Sequence, residues 1–372
     1  MAPVALDSPS SPSSSASSPK VLLADPIHLA TPLLKQLSAS WDVVVRSPVL
    51  PLSPAGAALT DFPTQTLASS SRAEFLADCR AGKYDGVEAI YRHFKGASTK
   101  VTGLLDPELV EALPRSLQFI AHNGAGYDQI NVQACTDRRI QVSNVPVAVD
   151  GATADTALFL LLGALRQFNV AQANLRAGKF NAGLEMSHDP EGKVLGIVGM
   201  GGIGRAFAKR ARAIGMTVVY HNRNQLSPAL EDGATYLSSL DELLSTSDVV
   251  SLNLPLNAHT KHTMSTPQFK RMKPTGVLIN TARGGVVDEA ALVDALEAGE
   301  IAACGLDVYE DEPKVHEGLL RLEGTKAFLL PHVGTLTVET QREMESVCLR
   351  QIQAGLATGK LPFTVPEQKG QF

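Results

Sequence analysis

Three short strings carry a cation, a carboxylate and an imidazole: Arg283 in INTARGG, Glu312 in GLDVYEDEP and His332 in LLPHVG. Arg283 precedes Glu312 by 29 positions, and His332 follows it by 20. Each string continues an apolar, strand-like run, so the three side chains belong at strand ends. Together they are the parts needed to reduce a 2-keto acid. A guanidinium can grip a substrate carboxylate with two parallel hydrogen bonds and polarise the adjoining carbonyl. An imidazole kept charged by a neighbouring carboxylate can give its proton to the carbonyl oxygen. A hydride donor is the remaining requirement.

A site for such a donor lies upstream. Gly199-Met-Gly-Gly-Ile-Gly204 fits G-x-G-x-x-G, a string that ordinary turns also produce. Its context is what makes it informative: it follows the apolar strand Lys193–Val198 and opens the helical stretch Arg205–Ala213. Gly199 then makes the tight turn, Gly201 lets the backbone approach a pyrophosphate, and Gly204 lets helix pack on strand. The pyrophosphate rests on free N–H groups at the positive helix end. About twenty residues on, an acid normally holds the ribose 2′-hydroxyl of NAD. Here no Asp or Glu occurs between Lys193 and Leu230, and Asn222 with Arg223 stands at that strand end. Asn and Arg can bind a 2′-phosphate that a carboxylate would repel. NADP(H) is therefore the preferred cofactor, with NAD(H) as the alternative if Arg223 simply faces water.

Strand-like runs alternate with helical stretches from Lys20 onward, as in parallel α/β proteins. The first series is Val21–Asp25, Asp42–Arg46, Gly86–Arg92, Leu117–Gly124 and Ile140–Asn144. The second is Lys193–Gly199, Met216–Asn222, Asp248–Pro255, Gly276–Asn280, Ala302–Tyr309 and Ala327–Pro331. Two such series predict an α/β fold with two doubly wound parallel-sheet domains and a cleft between them. Residues Thr335 to Leu356 read as a helix that returns to the first domain.

Composition narrows the rest. A chain of 372 residues exceeds one ordinary core. Its net charge of −5, with both signs scattered, offers no basic stripe for nucleic acid. The apolar run Ala157–Leu165 is too short for a bilayer and reads as a buried helix. The four cysteines form no CxxC pair, which suits a reduced intracellular protein. Residues 1–19 are mostly Ser, Pro and Ala and read as a disordered tail. They lack the arginines of a transit peptide, and GQF is not a peroxisomal address, so the cytoplasm is expected. His259 and His262 have no third ligand at metal spacing, and no metal site is expected.

With HNGAGYDQI, ATADTALFLLLGALR, GMGGIG, LPLNAHTKH, INTARGG, GLDVYEDEP and PHVG in this order, the chain resembles the D-isomer-specific 2-hydroxyacid dehydrogenases. It looks closest to their glyoxylate/hydroxypyruvate reductase branch, over Lys20 to about Pro366. The resemblance implies a Rossmann nucleotide domain (145–333) inserted within a flavodoxin-like substrate domain (20–144 and 334–372). It implies a small 2-keto acid substrate and a homodimer, with helix Ala157–Leu165 as an interface element. By position, Arg283 matches the substrate-binding arginine, His332 the proton donor, and Glu312 its carboxylate partner, while Glu310 and Asp311 read as solvated surface. Ala125 and Gly126 match the backbone that binds the substrate carboxylate. Gly202 and Ile203 match pyrophosphate contacts, and Leu254, Thr281, Ala282 and Asp307 line the nicotinamide side, Asp307 toward the carboxamide. His122 and Tyr127 flank the substrate loop, and Tyr91, Arg92 and Phe94 follow a strand end where side-chain specificity would be set.

Departures from the family pattern are few. NTPG reads Asn144-Val-Pro-Val147 here, Asn131 replaces a frequent Asp, and the only Trp is Trp41. Similar families offer alternatives. Reductases of aromatic 2-keto acids, resembling D-mandelate dehydrogenases, share the catalytic set. Nucleotide-sensing corepressors share the fold, but nothing in the sequence marks a peptide groove. Formate dehydrogenases pair the histidine with Gln rather than an acid. Many phosphoglycerate dehydrogenases add a regulatory domain for which the residues after His332 leave no room.

Overall fold

Parallel strands covered on both faces read as continuous apolar runs, and such runs form the framework of this chain. A computed structural model describes residues 18–45 and 69–372. The expectation of a disordered tail over 1–19 falls almost wholly outside them, as does Arg46. The described residues hold twelve strands. In the first sheet these are β1 (Lys20–Leu23), β2 (Asp42–Val45), β3 (Val87–His93), β4 (Phe119–Asn123) and β5 (Gln141–Ser143). In the second they are β6 (Val194–Val198), β7 (Thr217–His221), β8 (Thr235–Tyr236), β9 (Val249–Leu252), β10 (Val277–Asn280), β11 (Ala303–Leu306) and β12 (Ala327–Leu329).

The first sheet has the order β2-β1-β3-β4-β5, the flavodoxin-like winding, with β1 parallel to both neighbours. The second runs β12-β11-β10-β9-β6-β7-β8, and every pairing in it is parallel. Its strand order reverses between β6 and β9, which is where a doubly wound sheet opens a crevice for a ligand. Alternate side chains enter separate cores on the two faces. Leu195 and Ile197 of β6, Val249 of β9, and Val277 and Ile279 of β10 pack with the helices Asp150–Leu165 and Gly202–Ala213. Val198, Val250, Leu252 and Leu278 pack on the other side with the helix Glu289–Ala298.

The helix Asp150–Leu165 contains the apolar run and buries Ala157, Leu160, Leu161, Ala164 and Leu165. Gly163 admits the Phe328 ring, since a Cβ there would stand 1.9 Å from it. Phe159 on the same helix is 52% exposed. No described helix is long and apolar enough to cross a membrane. All four cysteines are buried and free, and burial pushes the Cys135 and Cys304 thiols up to about 12 each.

The described residues form two compact units. One takes the chain up to Ala121 together with Val132–Val142 and Leu349–Phe372. The other takes His122–Asn131 and Ser143–Cys348. The segment 122–131, expected in the substrate domain, thus groups with the nucleotide unit, where Asp128 pairs with Arg283. The C-terminal helix spans Val338–Thr358, and the division falls inside it at Cys348. Val147, in place of the family's glycine, has φ of 68° and is 75% exposed. A β-branched residue in that region costs about 1–3 kcal/mol, which surrounding structure must offset.

Candidate active site

The glycine string shows three different physical needs. Gly199 has φ of 97°, and a Cβ there would lie 2.7 Å from the Asn253 carbonyl oxygen. At Gly204 a Cβ would lie 2.6 Å from the Gly199 carbonyl oxygen, so helix and turn could not pack. Gly201 is exposed with nothing within 4 Å of a built Cβ, which leaves open space for an approaching group. The helix starts at Gly202, inside the motif and three residues earlier than the sequence suggested, and half-buried Ile203 lies in its first turn. Its first N–H groups are the natural seat for a pyrophosphate. A Cβ on Gly202 would meet Asp150 Oδ2 at 2.2 Å. Burial raises the Asp150 carboxyl above its usual range, with Arg205 acting in the opposite direction.

The strand end after β7 behaves differently from expectation in one respect. Asn222 Oδ1 accepts the Met200 N–H at 2.7 Å, so this side chain also holds the glycine turn. Tyr236 donates its hydroxyl to the Asn222 carbonyl at 3.2 Å. Arg223 is exposed and makes no hydrogen bond among the described residues. Any discrimination by charge at this position therefore falls on Arg223.

Adjacent strands β10, β11 and β12 deliver the three chemical side chains at their C-terminal ends. His332 Nδ1 lies 2.8 Å from Glu312 Oε2 and 3.0 Å from Oε1. With the Nδ1–H donated to the carboxylate, Nε2 is the nitrogen that can face a substrate. The two side chains are 16% and 29% exposed, enough to be reached and little enough to interact strongly. Glu312 Oε1 also accepts the Tyr309 N–H at 3.1 Å, which fixes its rotamer. His332 itself has φ of 56°, and the turn is pinned by Asp307. The Asp307 oxygens accept the N–H groups of Val333 at 2.7 Å and Gly334 at 2.8 Å. Asp307 was expected to face the nicotinamide carboxamide; here its buried carboxylate shapes the histidine turn.

Arg283 follows β10 on a turn built by Asn280. Asn280 Oδ1 accepts the Ala282 N–H at 3.0 Å, and its Nδ2 donates to the Arg283 carbonyl at 2.9 Å. Gly284 is required next, because a Cβ there would stand 1.8 Å from the Tyr309 carbonyl carbon. Arg283 Nε donates to Asp128 Oδ1 at 2.8 Å, a partner that the sequence does not announce. Ala125 and Gly126 lie on the same loop as Asp128. Their carbonyls accept from Asn144 Nδ2 at 2.6 Å and His122 Nε2 at 2.9 Å, while their N–H groups make no hydrogen bond among the described residues. Two unengaged donors beside a guanidinium suit a carboxylate.

Two buried polar atoms near the strand ends lack partners, Thr281 Oγ1 and Asn253 Oδ1. Leu254 is the third side of that corner, where its Cδ2 would lie 3.2 Å from a Cβ on Gly199. Unsatisfied buried groups cost about 1–3 kcal/mol each, so an amide-bearing ligand that bonds them is a natural occupant. The glycine turn, the free helix end and these orphaned atoms fit a nicotinamide dinucleotide.

Other expectations change. Glu310 is not merely solvated surface, because its Oε1 lies 2.6 Å from His262 Nε2. Its N–H donates to Glu289 Oε1 at 2.8 Å. Glu289 is 6% exposed, and burial raises its carboxyl above the usual range. His262 thus has a carboxylate partner, and its N–H donates to the Gly285 carbonyl beside the Arg283 turn. Tyr91 and Arg92 are buried in the first unit and belong to its core, while Phe94 is half-buried against His93, ring centroids 4.7 Å apart.

Residues 158–334 match the family model described as D-isomer specific 2-hydroxyacid dehydrogenase, NAD binding domain. A 4-methyl-2-oxopentanoate reductase from Aspergillus oryzae is 52% identical over 314 residues, covering 84% of this chain and 92% of that protein. The crystal structure of a glyoxylate reductase from Paecilomyes thermophila superimposes with a TM-score of 0.85 at 48% identity, covering 95% and 99% of the two chains. An NADPH-dependent glyoxylate/hydroxypyruvate reductase from Sinorhizobium meliloti, solved with NADP and malonate, gives 0.76 at 31% identity, covering 94% and 98%. The catalytic strings, both sheet orders and this near full-length identity lead to one conclusion: the chain belongs to the D-isomer specific 2-hydroxyacid dehydrogenases, oxidoreductases that use a nicotinamide cofactor.

Proposed function

We propose that the chain reduces glyoxylate to glycolate, or hydroxypyruvate to the D-2-hydroxy acid, with NADPH. The observation that carries this reading is the His332–Glu312 pair beside Arg283 on adjacent strand ends. Arg283 and the N–H groups of Ala125 and Gly126 hold the substrate carboxylate. That grip orients C2 and polarises its carbonyl. The glycine turn and the helix end at Gly202 would hold a dinucleotide by its pyrophosphate, and its reduced nicotinamide, toward Thr281 and Asn253, would supply a hydride to C2. His332 gives its Nε2 proton to the carbonyl oxygen, and Glu312 steadies the charged imidazole through Nδ1. NADPH over NADH is supported by the missing acid after β7, by exposed Arg223, and by the NADP-bound relative.

A second substrate reading has its own support. The Aspergillus relative at 52% identity is named for a branched six-carbon keto acid, not a two-carbon one. One methylene changes pocket affinity by only about 1–3 kcal/mol, so a few side chains can move the preference. Initial rates on glyoxylate, hydroxypyruvate, 4-methyl-2-oxopentanoate and phenylglyoxylate with NADPH separate these readings. The highest kcat/KM is expected on glyoxylate or hydroxypyruvate. A clear preference for the branched or aromatic acid replaces the proposed substrate, and no turnover on any of them removes the function.

A further inference from the structure

Arg283 has a fixed partner that the proposed reaction does not use. Its Nε donates to Asp128 Oδ1 at 2.8 Å, and its Nη1 donates to the Ala282 carbonyl at 2.8 Å. The two paired side chains are 22% and 23% exposed. A guanidinium is planar with five N–H donors, so two anchored donors settle its plane and leave three for a ligand. The same loop controls its other side. A Cβ at Gly126 would lie 1.9 Å from Nη2 and 2.5 Å from Cζ of Arg283. The guanidinium therefore packs directly on glycine backbone, two residues before the carboxylate that holds it. That loop is itself fastened by the His122–Gly126 and Asn144–Ala125 hydrogen bonds.

We infer that Asp128 is a positioning residue for substrate binding: it locks Arg283 so that the remaining N–H groups and those of Ala125 and Gly126 converge on one carboxylate. This rests on the reading that Arg283 grips the keto acid. A second carboxylate near an anionic substrate also repels it, which opposes the benefit. The negative charge of Asp128 is neutralised by the guanidinium it touches, whereas its loss frees a long side chain with several rotatable bonds. Positioning is the larger effect.

Asp128→Ala and Asp128→Asn separate the two contributions. Asn keeps an oxygen acceptor for Nε and removes only the charge. In Asp128→Ala the KM for the keto acid should rise roughly ten- to a hundredfold, the loss expected for one charge-assisted hydrogen bond. NADPH affinity, read by fluorescence titration, should stay unchanged, and Asp128→Asn should remain within a few-fold of wild type. An Ala variant with an equal or lower KM overturns the inference, as does an Asn variant as damaged as Ala. Phenylglyoxal labelling of Arg283, mapped by mass spectrometry, reads the lock without turnover. Labelling should be several-fold faster in Asp128→Ala and near wild type in Asp128→Asn; equal rates in all three overturn the lock. If the wild type reduces no 2-keto acid, the function fails while the labelling still decides the role of Asp128.

Discussion

Replacing His332 by Gln should lower keto-acid turnover by roughly 10²–10⁴-fold, the usual contribution of a positioned general acid. Gln can still donate a hydrogen bond but has no acidic proton to transfer. The pair geometry, 2.8 Å between Nδ1 and Glu312 Oε2, says that the effect lies in kcat rather than in cofactor binding. NADPH affinity should be nearly unchanged, since no residue of the glycine turn is touched. Glu312→Gln is the gentler variant. It retains an oxygen for the Tyr309 N–H and for His332 Nδ1 but removes the carboxylate charge beside the imidazole. kcat for reduction should fall in that variant by less than in His332→Gln, with NADPH affinity unchanged. Near-normal turnover in His332→Gln would move the proton donor elsewhere.

The second large effect concerns the cofactor. A charge-assisted hydrogen bond from Arg223 to the 2′-phosphate should contribute about 1.5–3 kcal/mol. At about 1.4 kcal/mol per tenfold, the wild type should prefer NADPH over NADH by roughly ten- to a hundredfold. Asn222→Asp combined with Arg223→Ala should reverse that order. The new Asp can still accept the Met200 N–H, so the glycine turn keeps its hydrogen bond. Its second oxygen can accept from the ribose hydroxyls and repel a phosphate. Rising salt should weaken NADPH binding more than NADH binding in the wild type, because the discriminating charge is exposed. The quantity to measure is kcat/KM for each cofactor at a fixed keto acid. Equal use of both by the wild type would mean that Arg223 serves only the solvent.

What the sequence reveals and what it hides divide along physical lines. Strands buried on both faces leave long runs of Val, Ile and Leu, so eleven of the twelve described strands were legible, including β10, β11 and β12 that deliver the catalytic side chains. Two-residue β8 at the sheet edge has no such run. The glycine string was legible because each glycine answers a separate steric need within six residues. Side-chain pairing across the chain was not. Arg283 and Asp128 are 155 positions apart, and His262 and Glu310 are 48 apart. Neither pair shares a motif, so Glu310 read as solvated, and Asp128 stood in HNGAGYDQI without an assigned role. Asn222 and Asp307 show a subtler limit. The strand-end position of Asn222 and the family resemblance at Asp307 pointed to cofactor contacts, but not to oxygens spent on backbone N–H groups of a neighbouring turn.

The claim most in need of a direct test is that Arg283 and His332 act on one carboxylate-bearing substrate. The measurement is kcat/KM for glyoxylate with saturating NADPH in wild type and in Arg283→Lys. Lysine keeps the charge but loses the planar fork that Asp128 and Ala282 hold in place. A fall of roughly tenfold or more is predicted, shared between KM and kcat because the fork both binds the carboxylate and aims the carbonyl. A variant with wild-type kcat/KM would contradict the assignment and place Arg283 outside the reaction.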